Sequence, residues 1–231
     1  KYEFDGFGLD FDVRRDMQDE ALALMVDLFR TGKTSRRGKY FTAIVEGDYE
    51  LLPQPLQKPY PPLFLAGGTD RSIGAAGKLG FGLMLSTLTP FDTLAKQTAH
   101  YRANLAEASA DARANPAFGQ IDIARWVYVA ESDAQAKKDS EEGLLRHLRH
   151  FSGGHQSGYL GQVSQGKDSI SDALDYDALA HSTIIHGSPK TVIARIEELK
   201  AKTGVTSLML HYPPWYGSEK AKKSPELFSD E

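Results

Sequence analysis

Leu63-Phe64-Leu65-Ala66-Gly67-Gly68-Thr69-Asp70-Arg71-Ser72 is the stretch on which the fold turns. Its four leading residues are apolar without alternation, the pattern of a short strand covered on both faces. Two glycines turn the chain, and a helix follows through Ile73, Ala76 and Leu79 at helical spacing. The unit repeats at once: Gly80-Phe81-Gly82-Leu83-Met84-Leu85-Ser86 reads as a strand, and residues 90–106 as a helix with Pro90 in its first turn. After a turn-rich linker at 109–120 comes a strand at 121–130. The helix over 132–150 is opened by Glu131-Ser132-Asp133, acidic residues at the positive end of its dipole. The last helix, over 190–202, starts at Gly187-Ser188-Pro189-Lys190, with Ser188 as N-cap and Pro189 at the first helical position. It leads into a strand at 205–212. Four parallel strands with interleaved helices make an α/β protein, half of a (β/α) barrel. Half a barrel leaves its inner face open, so a second copy, a complementing half or a rearrangement is expected to cover it.

The front of the chain has no strand before it. Residues 6–28 read as a helix and its approach loop, with Asp10 or Asp12 as cap and Met17, Ala21, Leu24 and Leu28 on one broad buried stripe. Glu20 is expected to be solvated or paired with an arginine such as Arg15. Residues 38–62 carry Pro53, Pro55, Pro59, Pro61 and Pro62, which predicts an extended loop. The Gly- and Ser-rich residues 151–171 read as an irregular insertion, either a lid or a disordered excursion. Residues 213–231 read as a tail with no further full-length helix. The whole chain, 1–231, is expected to form a single partial-barrel domain.

Composition narrows the function classes. A formal net charge of -4 gives no overall basic field for nucleic acid or an anionic membrane, and no apolar run is long enough to span a bilayer. The absence of cysteine removes disulfides, thiolate metal sites and cysteine nucleophiles. Lys1 to Asp5 show no basic region followed by an apolar stretch, so a cytoplasmic location is the expectation.

Ligands of a parallel barrel meet the C-terminal ends of its strands. Gly67, Gly68, Thr69 and Ser72 lie there and offer backbone N–H groups and hydroxyls to a phosphate at a helix N-terminus; the alternative is a tight turn and nothing more. The spacing is neither a Walker loop nor a dinucleotide fingerprint. His211 ends the last strand beside Tyr212, Trp215 and Tyr216, either an aromatic mouth with one imidazole for a ring-bearing ligand or a packing cluster. Arg125, inside a strand, calls for an anion, a buried carboxylate or an exposed strand end. His147, His150 and His155 lack metalloprotease spacing and read as a surface helix end, His181 and His186 have no partner spacing, and no metal site is expected. No nucleophile elbow is present.

These pieces resemble, in order and spacing, the bacterial luciferase-like flavin-dependent monooxygenases. The resemblance rests on Phe11-x-x-Arg14, Met17, Glu20-Ala21-Leu22, Leu28-Phe29, Gly38-Lys39-Tyr40-Phe41 and Leu52-Pro53-x-Pro55-x-Gln57-x-Pro59-x-Pro61-Pro62 running into residues 63–67. The Gly187-Ser188-Pro189 helix start adds to it. It implies a TIM-type (β/α)8 barrel of which this chain supplies about strands five to eight and the helix before them. It also implies a flavoprotein oxidoreductase in which reduced FMN, or in some relatives the deazaflavin F420, acts with oxygen on a small organic substrate. A flavin reductase partner follows for a monooxygenase. On this resemblance Gly67, Gly68, Thr69 and Ser72 would bind the cofactor, His211 would be catalytic, and Trp215 and Tyr216 would meet the substrate. The early strands that carry much of the flavin ring pocket are absent, which leaves a non-catalytic flavin-binding or structural half-barrel as the alternative.

Overall fold

The computed structural model describes residues 2–152, 174–211 and 214–229. The chain divides into two compact units, Lys1–Leu63 with Ala114–Pro116, and Phe64–Arg113 with Ala117–Glu231.

The first unit holds α1 (Tyr2–Gly6), α2 (Arg14–Thr31), β1 (Thr34–Arg37) and β2 (Thr42–Val45). Gly32 ends α2 in the left-handed region, its N–H on the Leu28 carbonyl. The N-cap is Val13, without a side-chain cap bond, rather than Asp10 or Asp12, and no residue of α2 is fully buried, so the expected buried stripe is not formed. The expected extended loop begins as an antiparallel hairpin, with Thr34 opposite Val45 and Arg37 opposite Thr42. Glu20 holds its turn. The carboxylate accepts the backbone N–H of Lys39 at 3.1 Å, of Tyr40 at 3.1 Å and of Phe41, rather than pairing with Arg15. Gly38 leaves the space that this carboxylate occupies, since a Cβ there would meet it.

The second unit is a partial (β/α) barrel. In order it contains β3 (Phe64–Ala66), α3 (Asp70–Lys78), β4 (Gly82–Leu85), α4 (Phe91–Leu105), β5 (Ile121–Val129) and α5 (Asp133–Ser152). Then come α6 (Tyr176–Ser182), β6 (Ile185–Gly187), α7 (Pro189–Thr203), β7 (Ser207–His211), a 3-10 turn at Pro214–Tyr216 and α8 (Ser218–Ser229). All pairs are parallel: β3 with β4, β4 with β5, and β5 with both β6 and β7. The nine-residue β5 serves three partners, Ile121 to Ile123 against Leu83 to Leu85, Asp122 to Trp126 against Ser207 to His211, and Val127 to Val129 against Ile185 to Gly187.

Alternation along β5 separates two faces. Ile121, Ile123, Val127 and Val129 join Leu83, Leu85, Ile73, Leu94, Val192 and Leu199 in the core between sheet and helices. Each such aliphatic side chain contributes about 1.5–3 kcal/mol by leaving water. The other face carries Asp122, Ala124, Trp126 and Tyr128. Its upper part, Trp126, Tyr128 and Ala130, packs under Ala136, Leu144 and Leu148 of α5, Leu179 of α6 and Tyr216. Lower down, Met209 of β7 is 45% exposed. Among the described residues β3 pairs only with β4, and β6 and β7 each pair only with β5, so the sheet has open edges.

Two sequence expectations are corrected here. Ile185–Gly187 is a fifth strand, and the charged residues after Gly217 are a helix rather than a tail. Leu227 and Phe228 of α8 pack on the helix-side core, and the Ser224 hydroxyl accepts the Val129 N–H at 2.7 Å. The expected insertion at 151–171 lies outside the described residues apart from its first two, which end α5.

Candidate functional site at the C-terminal rim

The register shows which groups share a level. Ala66, the last residue of β3, aligns with Met84, and through it with Asp122 and Ser207. From that row β4 runs one residue further, to Leu85, and β7 four further, to His211. Neighbouring strands of an eight-stranded barrel with a shear of 8 step by about one residue. Over the three steps from β3 to β7, this stagger brings the loop after Ala66 and His211 to the same C-terminal rim.

The loop after β3 is built by a capping box. Thr69 is the N-cap of α3. The Ser72 N–H donates to Thr69 Oγ1 at 3.3 Å, and the Thr69 N–H to Ser72 Oγ at 3.2 Å. Gly67 must lack a side chain, since a Cβ would lie 2.4 Å from Ser72 Oγ. Helix α4 braces the loop from behind: Gln97 Nε2 donates to the Gly68 carbonyl at 3.0 Å, and His100 Nε2 to the Asp70 carbonyl at 3.0 Å. Gly68, Thr69 and Asp70 are exposed. First-turn N–H groups of a helix have no intrahelical acceptor. The box engages the Ser72 N–H and the Ser72 hydroxyl, which donates to the Thr69 carbonyl at 2.9 Å, and leaves the exposed Gly68, Thr69 and Asp70 as the part of this N-terminus that can meet a phosphate group.

Arg125 explains the next loop of the rim. It is fully buried; Nη1 donates to the Ser86 carbonyl at 2.6 Å and Nη2 to the Thr89 carbonyl at 2.8 Å. Its guanidinium therefore fixes the β4–α4 connection by donating to two of that loop's carbonyls.

At the β7 end, His211 is exposed and its Nδ1 accepts the Trp126 Nε1–H at 3.0 Å. Trp215 packs edge-on to Trp126 at 5.6 Å, and His147 of α5 stacks flat on Trp215 at 3.7 Å. His147, read from sequence as part of a surface helix end, is thus part of an aromatic cluster; burial, with the nearby His150 and His211, lowers its pKa. Tyr216 is only 5% exposed, and its hydroxyl lies 3.3 Å from His186 Nε2. Sequence reasoning missed that histidine. His186 Nδ1 sits 3.2 Å from both Ser140 Oγ and the Tyr176 hydroxyl, and burial pushes its pKa down to about 3. Gly67, Gly68, Thr69 and Ser72 thus form one loop, His211 and Trp215 one aromatic group, and Tyr216 belongs to the buried wall behind that group. Asp122 also faces the inner side; burial raises its pKa, against a hydrogen bond from Ser207.

Among the described residues no group of three or more His, Cys, Asp or Glu side chains could hold a metal ion, and no helix is long and apolar enough to cross a membrane. A cavity of about 160 Å³ between α5 and α8, lined by Tyr128, Glu131, Asp139 and Lys223 among others, is below the roughly 300 Å³ at which pockets begin to take larger cofactors.

A sequence model described as luciferase-like monooxygenase matches residues 1–207. Among solved structures, the monooxygenase RslO1 from Streptomyces bottropensis superposes with a TM-score of 0.73 at 21% identity, covering 99% of this chain and 63% of that one. The oxygenating constituent of 3,6-diketocamphane monooxygenase from Pseudomonas putida, a type II Baeyer-Villiger monooxygenase in complex with FMN, gives 0.67 at 22% identity, covering 94% and 62%. The coenzyme F420-dependent tetrahydromethanopterin reductase from Methanopyrus kandleri gives 0.58 at 19% identity, covering 95% and 67%. At these identities the likeness is one of fold, and the chain spans just over three fifths of the length of the first two.

Proposed function

The chain belongs to the luciferase-like monooxygenase family, and from that premise we propose that it supplies the phosphate-side rim of a flavin-dependent monooxygenase using reduced FMN and oxygen on a small organic substrate. The observation that carries this reading is the Gly67-to-Ser72 loop, a capped helix N-terminus at the C-terminal end of a strand with Gly68, Thr69 and Asp70 exposed. Gly68, Thr69 and the backbone N–H of Asp70 would hold the cofactor phosphate, with Ser72 closing the capping box. Bound there, a reduced flavin supplies the electrons for oxygen activation. The remaining work falls to side chains. Met84, Ala124 and Met209 lie on the inner face and give it apolar groups that exclude water from the reacting groups once that face is covered. His211 is the group proposed to touch the reacting ligand, and Trp215 the one proposed to meet substrate. Tyr216 supports them from the buried wall. A reductase that delivers reduced flavin, and a cytoplasmic setting in which it does so, belong to the same reading. The deazaflavin F420 is the alternative cofactor.

The open edges and the exposed Met209 favour one addition: the inner face is completed by further protein, either a second copy or a complementing half-barrel.

Gly67→Val tests the cofactor site. A β-branched side chain there collides with Ser72 Oγ and opens the capping box. The FMN dissociation constant is expected to rise about tenfold or more, the equivalent of one lost charge-assisted hydrogen bond. An unchanged constant would make the two glycines a turn and nothing else.

A further inference from the structure

The bond between β5 and β7 at the rim fixes more than the position of a ring. Trp126 lies opposite His211 in the register, and its Nε1–H points at His211 Nδ1 over 3.0 Å. An indole nitrogen only donates. Nδ1 of His211 must therefore present its lone pair, and the neutral imidazole carries its single proton on Nε2. Trp126 has little freedom to turn away: it is 4% exposed and meets the edges or faces of His147 at 5.7 Å and Trp215 at 5.6 Å. The flat stack of His147 on Trp215, 10° from parallel, closes the cluster from the α5 side. His211 itself is exposed.

We propose that Trp126 is a positioning residue that locks His211 in its Nε2–H form, so that the rim offers a hydrogen-bond donor to an oxygen acceptor, a carbonyl or anionic oxygen of the bound ligand. The neutral ring then has no vacant nitrogen facing the ligand, so His211 polarises an oxygen by donating a hydrogen bond from Nε2 and does not abstract a proton. The assignment of that oxygen to a flavin ring or a substrate rests on the function proposed above; the tautomer does not.

The test is a long-range proton–nitrogen correlation spectrum of the ¹⁵N-labelled chain without ligand, with His211 identified by its loss in His211→Gln. The expected wild-type pattern is a protonated Nε2 and an unprotonated Nδ1, turning into a mixture of tautomers in Trp126→Phe. A wild-type His211 protonated on Nδ1, or a Trp126→Phe variant that keeps the pure Nε2–H form, overturns the proposal. Should Trp126→Phe not fold, a scalar coupling between Trp126 Nε1 and His211 Nδ1 in the wild type decides, its presence supporting the lock and its absence overturning it. Adding FMN is a separate arm. If flavin leaves the Nε2 resonance unmoved while the tautomer is as expected, flavin as the source of the oxygen fails and the lock stands.

Discussion

Acidification from neutrality to about two pH units below the ordinary histidine value should cost this fold about 3 kcal/mol through His186 alone. Burial pushes the pKa of this side chain from its ordinary 6.5 down to about 3, and its three nearest polar neighbours are the hydroxyls of Ser140, Tyr176 and Tyr216. In the unfolded chain the same imidazole protonates below 6.5, while the folded one stays neutral until about 3. The unfolded state therefore binds more protons throughout that window, and stability falls as the pH falls, by about 1.4 kcal/mol per unit. His147, also lowered by burial, acts in the same direction. Asp133 and Asp139 are held below the ordinary carboxylate value of 3.8, so their contribution is lost only at lower pH. Asp122, raised from 3.8, gives an opposite slope at the acid end. Urea unfolding across the histidine window should show the slope in the wild type and a flatter one in His186→Gln. Equal slopes would mean that His186 is not held neutral by its cage.

Arg125→Met is expected to remove about 4 kcal/mol. The methionine fills much of the volume but leaves the carbonyls of Ser86 and Thr89 without the donors they now have at 2.6 and 2.8 Å, at about 1–3 kcal/mol each. The guanidinium also lies over Phe91 at 5.5 Å, a ring that Arg195 meets at 4.2 Å. Arg125→Lys should recover only part of the loss, because a single ammonium does not reproduce the fork that spans two carbonyls. Denaturant midpoints for both variants check this. A loss below about 1 kcal/mol for methionine would mean that the β4–α4 loop does not depend on the arginine.

What was legible in the sequence is what is locally encoded. Leu63 to Ala66 declared a strand by unbroken hydrophobicity, although at the end of the sheet it is half-buried to exposed rather than covered on both faces. Ser188, Pro189 and Gly204 marked both ends of α7, where the structure has them as N-cap, first residue and left-handed C-cap. Elements with weak local signals were missed. Ile185–Gly187 is three residues long and interrupted by a histidine that reads as polar until its cage is known. The hairpin strand Thr34–Arg37 is entirely polar and basic, and α8 carries Pro225 and a charged composition that masks Leu227 and Phe228. The site divides in the same way. The Gly67-to-Ser72 loop is a contiguous capping signal. The partner of His211 stands 85 positions away, and the hydroxyls around His186 come from three separate elements. Arg125 was recognised as needing compensation, but carbonyls of a neighbouring loop can only be assigned to it once the strands are in register.

The most direct measurement for the central claim is a comparison of FMN with riboflavin, which differ only in the phosphate, as ligands of this chain. With the α3 N-terminus as the phosphate site, FMN should bind at least about tenfold more tightly than riboflavin, and Gly67→Val should abolish the difference. Equal affinity for the two flavins, or no binding of FMN at all, would contradict the assignment of this rim to a flavin phosphate.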